Sequence, residues 1–85
     1  MLNIRFEGKR ALVTGAGKGI GREIVKVLAE CGAEVTALSR TQDDLDSLRA
    51  ETNCHIILSD IGDANAARQA AEDAGAIDLL VNNAG

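Results

Sequence analysis

The residues of this chain best suited to chemistry are four glycines at alternate positions, Gly15, Gly17, Gly19 and Gly21, in the segment Val13-Thr14-Gly15-Ala16-Gly17-Lys18-Gly19-Ile20-Gly21. Glycine has no Cβ, so such a segment can turn tightly and bring its backbone close to a ligand. It follows a short apolar run and opens an amphipathic one. A strand that passes into a helix there presents unpaired N–H groups and roughly half a positive charge. That combination suits an anion, above all the pyrophosphate of a dinucleotide. Ile20, the one large apolar residue inside the loop, belongs to the same candidate site. A triphosphate-binding loop needs Lys followed by Ser or Thr after its last glycine. Arg22-Glu23 stand there instead.

A second candidate lies at Ala37-Leu38-Ser39-Arg40-Thr41. At the end of the second strand, NAD-binding chains place Asp or Glu on the ribose 2′-hydroxyl. No carboxylate occupies that place here. Arg40 offers a guanidinium fork that matches a phosphate. Ser39 and Thr41 add hydroxyl donors, and Lys18 in the glycine loop is placed to reach the same group. The reading is recognition of a 2′-phosphate, hence NADP(H). That phosphate carries roughly −1.5 to −2 charges. Each charge-assisted hydrogen bond to it contributes on the order of 1.5–3 kcal/mol. Two such contacts favour NADP over NAD by roughly a hundredfold or more.

The elements that must hold these residues are legible as apolar patterning. Arg10 to Thr14, Glu34 to Leu38, His55 to Leu58 and Leu79 to Val81 are aliphatic runs without clean alternation. Strands of a parallel sheet, covered on both faces, read this way. Between them, Ile20, Ile24 and Leu28 recur at i+4 with Val25 and Ala29 beside them. Arg22, Glu23, Lys26 and Glu30 fall on the other side, which makes an amphipathic helix. Gly32 is placed to close it in a left-handed conformation. A second helix starts near Thr41, whose hydroxyl is expected to cap its first turn. Asp44 follows as an imperfect capping-box acid, and Leu45 and Leu48 form the apolar face. A third helix is expected from about Asp63 to Ala74, rich in alanine and ended by Gly75. The order β-α-β-α-β-α-β implies an α/β fold with a doubly wound parallel sheet. In that pattern the first two helices cover one face and the third covers the other.

Thr14, Gly15, Gly19 and Gly21 have the spacing T-G-x-x-x-G-x-G, and Asn82-Asn83-Ala84-Gly85 follow a strand begun by Asp78. With these two motifs at this separation, the chain resembles the short-chain dehydrogenase/reductase family over essentially its whole length. The stretches from Thr14 to Arg22 and from Ser39 to Leu48 are most similar to its carbonyl-reducing branch, which acts on dicarbonyls and ketose sugars. The resemblance implies the N-terminal part of a Rossmann fold, NADPH as cofactor, a small carbonyl or sugar substrate and a homotetrameric complete enzyme. It further implies that Asp60 meets the adenine amino group and Ile61 packs on the adenine ring. Asn82, Ala84 and Gly85 would line the ribose and nicotinamide side, while Asp78 reads as structural. The family's proton donor is a tyrosine in a Tyr-x-x-x-Lys pair, with a serine and a later asparagine. This sequence contains no tyrosine, so no catalytic residue is assigned in it.

Composition narrows the remaining choices. The chain has 85 residues, one Phe, no Trp and no Pro, so its core must be aliphatic. A chain this short buries only roughly 60–65% of its unfolded surface. The resemblance further implies that residues 1–85 are one partial dinucleotide-binding domain from which the catalytic half is absent, and Leu79-Leu80-Val81 is expected to be an apolar sheet edge. A net charge of −4 argues against nucleic acid. The early Lys and Arg residues other than Lys18 read as a solvated rim. Cys31 and Cys54 have no CxxC spacing and read as small core residues rather than metal ligands. The start is too short and polar for a signal peptide. No run approaches the ~20 apolar residues that span a bilayer. A reducing, cytoplasmic setting without membrane attachment is expected.

Overall fold

Four short strands, β1 (Arg10–Thr14), β2 (Glu34–Ser39), β3 (His55–Leu58) and β4 (Leu79–Asn82), run parallel in one sheet in the order β3-β2-β1-β4. The computed structural model describes residues 6–59, 69, 72 and 75–82. β1 is followed by helix α1 (Gly19–Glu30), and β2 by helix α2 (Gln42–Thr52). The strands fall where the aliphatic runs predict, with β2 and β4 each one residue longer. Most of the third predicted helix lies outside the described residues. Gln69 and Glu72 are helical, and the N–H of Gly75 donates to the Glu72 carbonyl with Gly75 at φ +82°.

The alternation of side chains along each strand sorts the core into two layers. Ala11, Val13, Val35 and Ala37 face α1 and α2, meeting Val25 and Leu28 of α1 and Leu45, Leu48 and Cys54. Leu12 and Leu38 point to the opposite face, with Ile57 and Ile77 packed against them. The first two helices thus share one face. Leu45 and Leu48 are fully buried, and each stabilises the fold by about 1.5–3 kcal/mol. Asp78 proves structural: its carboxylate accepts the Arg10 N–H at 2.9 Å and its own N–H donates to the Arg10 carbonyl at 2.9 Å. At the outer side of β4, Leu79 and Leu80 are exposed, as the apolar edge predicts.

Helix α1 ends as its glycine requires. Gly32 takes φ +93°, its N–H bonds the Ala29 carbonyl, and the Ala33 N–H bonds the Leu28 carbonyl. That pair of bonds is a Schellman cap. Helix α2 ends instead on Asn53 at φ +59°, whose N–H reaches the Arg49 carbonyl at 2.7 Å.

Two local expectations are corrected. Ile20 does not share the buried stripe of α1, which is Gly21, Val25 and Leu28; it is 72% exposed. It lies in the first turn, one residue and about 100° off the buried face. Thr41 does occupy the N-cap of α2, but its hydroxyl makes no capping bond. Its N–H, the group a capping-box acid would take, already donates to the Ser39 hydroxyl at 3.2 Å. Asp44 turns towards the glycine loop instead. Cys54 is buried, Cys31 is half-buried, and both are free. Among the described residues no cluster of His, Cys, Asp or Glu could hold a metal, and no helix is long and apolar enough to cross a membrane.

Candidate functional site

The sheet order makes the site before any side chain is considered. From β1 the chain moves outward through β2 to β3, then returns to the other flank of β1 as β4. The winding therefore reverses between β1 and β4. In doubly wound sheets ligands bind outside the carboxyl ends of the strands at this reversal. Thr14 and Asn82 are partners in register at that end, and the Thr14 hydroxyl donates to the Val81 carbonyl at 3.4 Å. The glycine loop leaves β1 at the same point.

The loop backbone is held on its β2 side. The Ala16 N–H donates to the Leu38 carbonyl at 3.0 Å, and Ala16 itself is fully buried. Gly15 and Gly19 take φ +61° and +60°, a region that a side chain disfavours. Gly17 needs its missing side chain for space. A Cβ there would stand 2.8 Å from the Ser39 Oγ and 3.0 Å from the Asp44 Cβ. A Cβ on Gly19 would meet nothing within 4 Å. The N-cap of α1 is Lys18, in extended conformation, with no side-chain capping bond and no acid in the first turn. The first turn of α1 thus has no side-chain cap, which suits an anion such as a pyrophosphate. Gly21 lies on the buried face of α1, the place of the glycine that permits close helix–strand packing in this motif.

Around this loop stand the residues expected to recognise a 2′-phosphate. Ser39 ends β2, Arg40 and Thr41 follow it exposed, and Lys18 projects from the loop with its side chain 82% exposed. Lys18 Nζ lies 3.9 Å from Asp44 Oδ2, a long, solvated pair that competes weakly with any bound anion. Arg40 forms no ion pair among the described residues. Asp60, Ile61, Ala84 and Gly85 lie outside the described residues, and of Asn82 only the backbone position is described.

The sequence reading missed Arg22, which it placed on the solvent face of α1. Its side chain is only 18% exposed. Nη1 donates to the Gly17 carbonyl and to the Asp44 carbonyl, each at 3.4 Å. Nη2 donates to Ser47 Oγ at 2.9 Å and to Glu51 Oε1 at 3.0 Å. Lys26 Nζ adds a second cation to Glu51 at 3.1 Å. The Lys26 hydrogen bond, then that of Arg22, holds the Glu51 carboxyl below its ordinary range, and the Glu51 bond raises the Lys26 ammonium. Nothing in local spacing signals this cluster, because α1 and α2 meet only after folding.

Comparison with known proteins agrees with this geometry. The short chain dehydrogenase family matches residues 9–85. L-xylulose reductase of Bos taurus is 55% identical over 84 residues, covering 98% of this chain and 34% of the relative. Carbonyl reductase [NADPH] 2 of Sus scrofa is 50% identical over the same length, with the same coverage. The chain therefore spans about a third of the length of the curated relatives it matches. Among solved structures, the Pseudomonas aeruginosa RhlG/NADP active-site complex superposes with a TM-score of 0.88 at 34% identity, over 95% of this chain and 35% of that one. With its glycine loop, strand order and family match in accord, the chain belongs to the short-chain dehydrogenase/reductase family.

Proposed function

We propose that this sequence is the NADP(H)-binding part of a carbonyl reductase of dicarbonyl/L-xylulose type. The observation that carries the reading is one juxtaposition at the carboxyl ends of β1 and β2. The uncapped start of α1 lies beside the Ser39-Arg40-Thr41 segment, which has basic and hydroxyl groups where a NAD site has a carboxylate. The names of the relatives, L-xylulose reductase and carbonyl reductase [NADPH], support the same chemistry. Bound here, the dinucleotide would supply a hydride to a carbonyl. The chain's own residues bind and orient it. The backbone of Gly15, Gly17 and Gly19 receives the pyrophosphate, and Gly21 lets α1 approach the sheet. Ile20 borders the loop mouth. Lys18, Ser39, Arg40 and Thr41 take the 2′-phosphate. Asp60 and Ile61 are assigned to the adenine, and Asn82, Ala84 and Gly85 to the nicotinamide side.

No tyrosine is among these 85 residues, so none of them is assigned as the proton donor of the reaction. The complete enzyme is read as a cytoplasmic homotetramer acting on a small carbonyl or sugar. The missing tyrosine also favours a second reading, a dinucleotide-binding or partner-docking chain without turnover. Two measurements separate them. Calorimetric titration should show NADPH binding roughly a hundredfold more tightly than NADH, and Arg40→Ala should remove most of that difference. Equal affinity for the two dinucleotides would overturn the cofactor assignment. Loss of NADPH absorbance with L-xylulose or a dicarbonyl, in a protein that carries these 85 residues together with a Tyr-x-x-x-Lys pair, supports the reductase. Tight binding without consumption supports the second reading.

A further inference from the structure

Arg22 follows the last glycine of the loop, yet its contacts lie mostly on the next helix. One guanidinium nitrogen reaches the carbonyl of Gly17 in the loop and that of Asp44 in the first turn of α2. The other reaches Ser47 and Glu51, further along α2. We propose that Arg22, anchored by Glu51, is a positioning residue that sets the spacing between the glycine loop and the start of α2, and through it the preference for a 2′-phosphorylated dinucleotide. This inference rests on the cofactor reading given above.

The proposed phosphate grip is divided between two backbone segments. Lys18 belongs to the loop, directly after Gly17, while Ser39, Arg40 and Thr41 lead into α2. Arg22 is the side chain that touches the backbone on both sides of this division. Its bond to the Gly17 carbonyl fixes the peptide plane that Gly17 shares with Lys18, because a trans peptide is rigid and its N–H points opposite to its carbonyl. Its bond to the Asp44 carbonyl fixes the first turn of α2. The two segments also touch without slack, since a Cβ on Gly17 would be 2.8 Å from Ser39 Oγ. A change in their spacing therefore moves Lys18 relative to Arg40.

The residue type matters. Only the planar fork of arginine offers donors in several fixed directions; an ammonium is a single compact charge on a flexible stem. Glu51 supplies the counter-charge, and Lys26 holds that carboxylate from its other oxygen at 3.1 Å. By contrast, the pyrophosphate site shares only the Gly17 carbonyl with this bridge; the rest of it is loop and α1 backbone joined to β1 and held to β2 through the Ala16 N–H. Loosening the Arg22 bridge should thus weaken the dinucleotide that carries a 2′-phosphate far more than the one that lacks it.

The test is calorimetric titration of NADPH and NADH into the full-length protein and its Arg22→Lys and Glu51→Gln variants. Arg22→Lys is expected to weaken NADPH by about tenfold, the loss of one charge-assisted hydrogen bond, with NADH changed by less than about twofold. Glu51→Gln keeps its size and is expected to shift the ratio the same way by about threefold, as a neutral acceptor replaces a charged one. If Arg22→Lys fails to fold, the Glu51→Gln ratio decides. Equal weakening of both dinucleotides, or no change in either, overturns the inference and leaves Arg22 a purely structural tie. A wild-type protein that binds the two dinucleotides equally overturns the cofactor reading itself, and this inference with it.

Discussion

Gly17→Ala isolates the most closely packed point of the site. Its backbone is not left-handed, so the added methyl group is resisted only by its neighbours. The nearest is Ser39 Oγ at 2.8 Å, and that hydroxyl can rotate only by releasing the Thr41 N–H it accepts. The next is Asp44 Cβ at 3.0 Å, which cannot rotate away because it is attached directly to the α2 backbone. Carbon atoms rest at about 3.5–4.0 Å, so loop and helix must separate by roughly half an ångström. Overpacking of this kind costs about 1–3 kcal/mol, and the released hydrogen bond adds about 0.5–1.5 kcal/mol. The expected loss is about 2–4 kcal/mol, a large share of the roughly 5–15 kcal/mol that stabilises a typical protein. Gly19→Ala is the control. Its methyl group meets nothing within 4 Å, and only its φ of +60° opposes it, at about 1–2 kcal/mol. Urea unfolding of both variants measures the order directly. A Gly17→Ala protein within roughly 0.5 kcal/mol of wild type, or one more stable than Gly19→Ala, would refute the packing argument.

Three further outcomes are expected. Leu48→Ala should cost about 2–5 kcal/mol in urea unfolding, because Leu48 is fully buried between α2 and the sheet; a loss under about 1 kcal/mol would contradict that burial. Glu51 titrates below its ordinary 4.5, so the stability it contributes is present above 4.5 and lost as pH falls through the lowered value. Lys26 titrates above 10.5, so its contribution is full below 10.5 and lost as pH rises through the raised value. Carboxyl-carbon NMR should find the Glu51 midpoint under 4.5 and moved upward in Arg22→Lys. A midpoint at or above 4.5 in the wild type would disprove the coupling. Asn53→Val, at φ +59°, should destabilise by about 1–2 kcal/mol, whereas Asn53→Gly should be nearly neutral in thermal melts.

What the sequence determined by itself was what depends on neighbours along the chain. The ends of β1 and β3, the buried pair Leu45 and Leu48, and the close of α1 at Gly32 were all legible. Strand length, helical period and a left-handed glycine are properties of a few consecutive residues. The glycine loop was legible for the same reason. Tertiary structure decided which partner each polar group meets. Arg22 reads as a solvent-facing helix residue, but its partners lie 22, 25 and 29 positions away on a helix brought alongside by the shared sheet. Thr41 has the right type to cap α2, yet its hydroxyl makes no capping bond; Ser39, brought near by the turn after β2, accepts its N–H, and Asp44 lies against the loop. Ile20 fits the apolar period of α1, but the rotation of the packed helix puts Gly21 at the interface instead. Apolar burial follows a pattern that the chain repeats locally, whereas a hydrogen bond needs one donor and one acceptor within about 3 Å, and only the fold sets that distance.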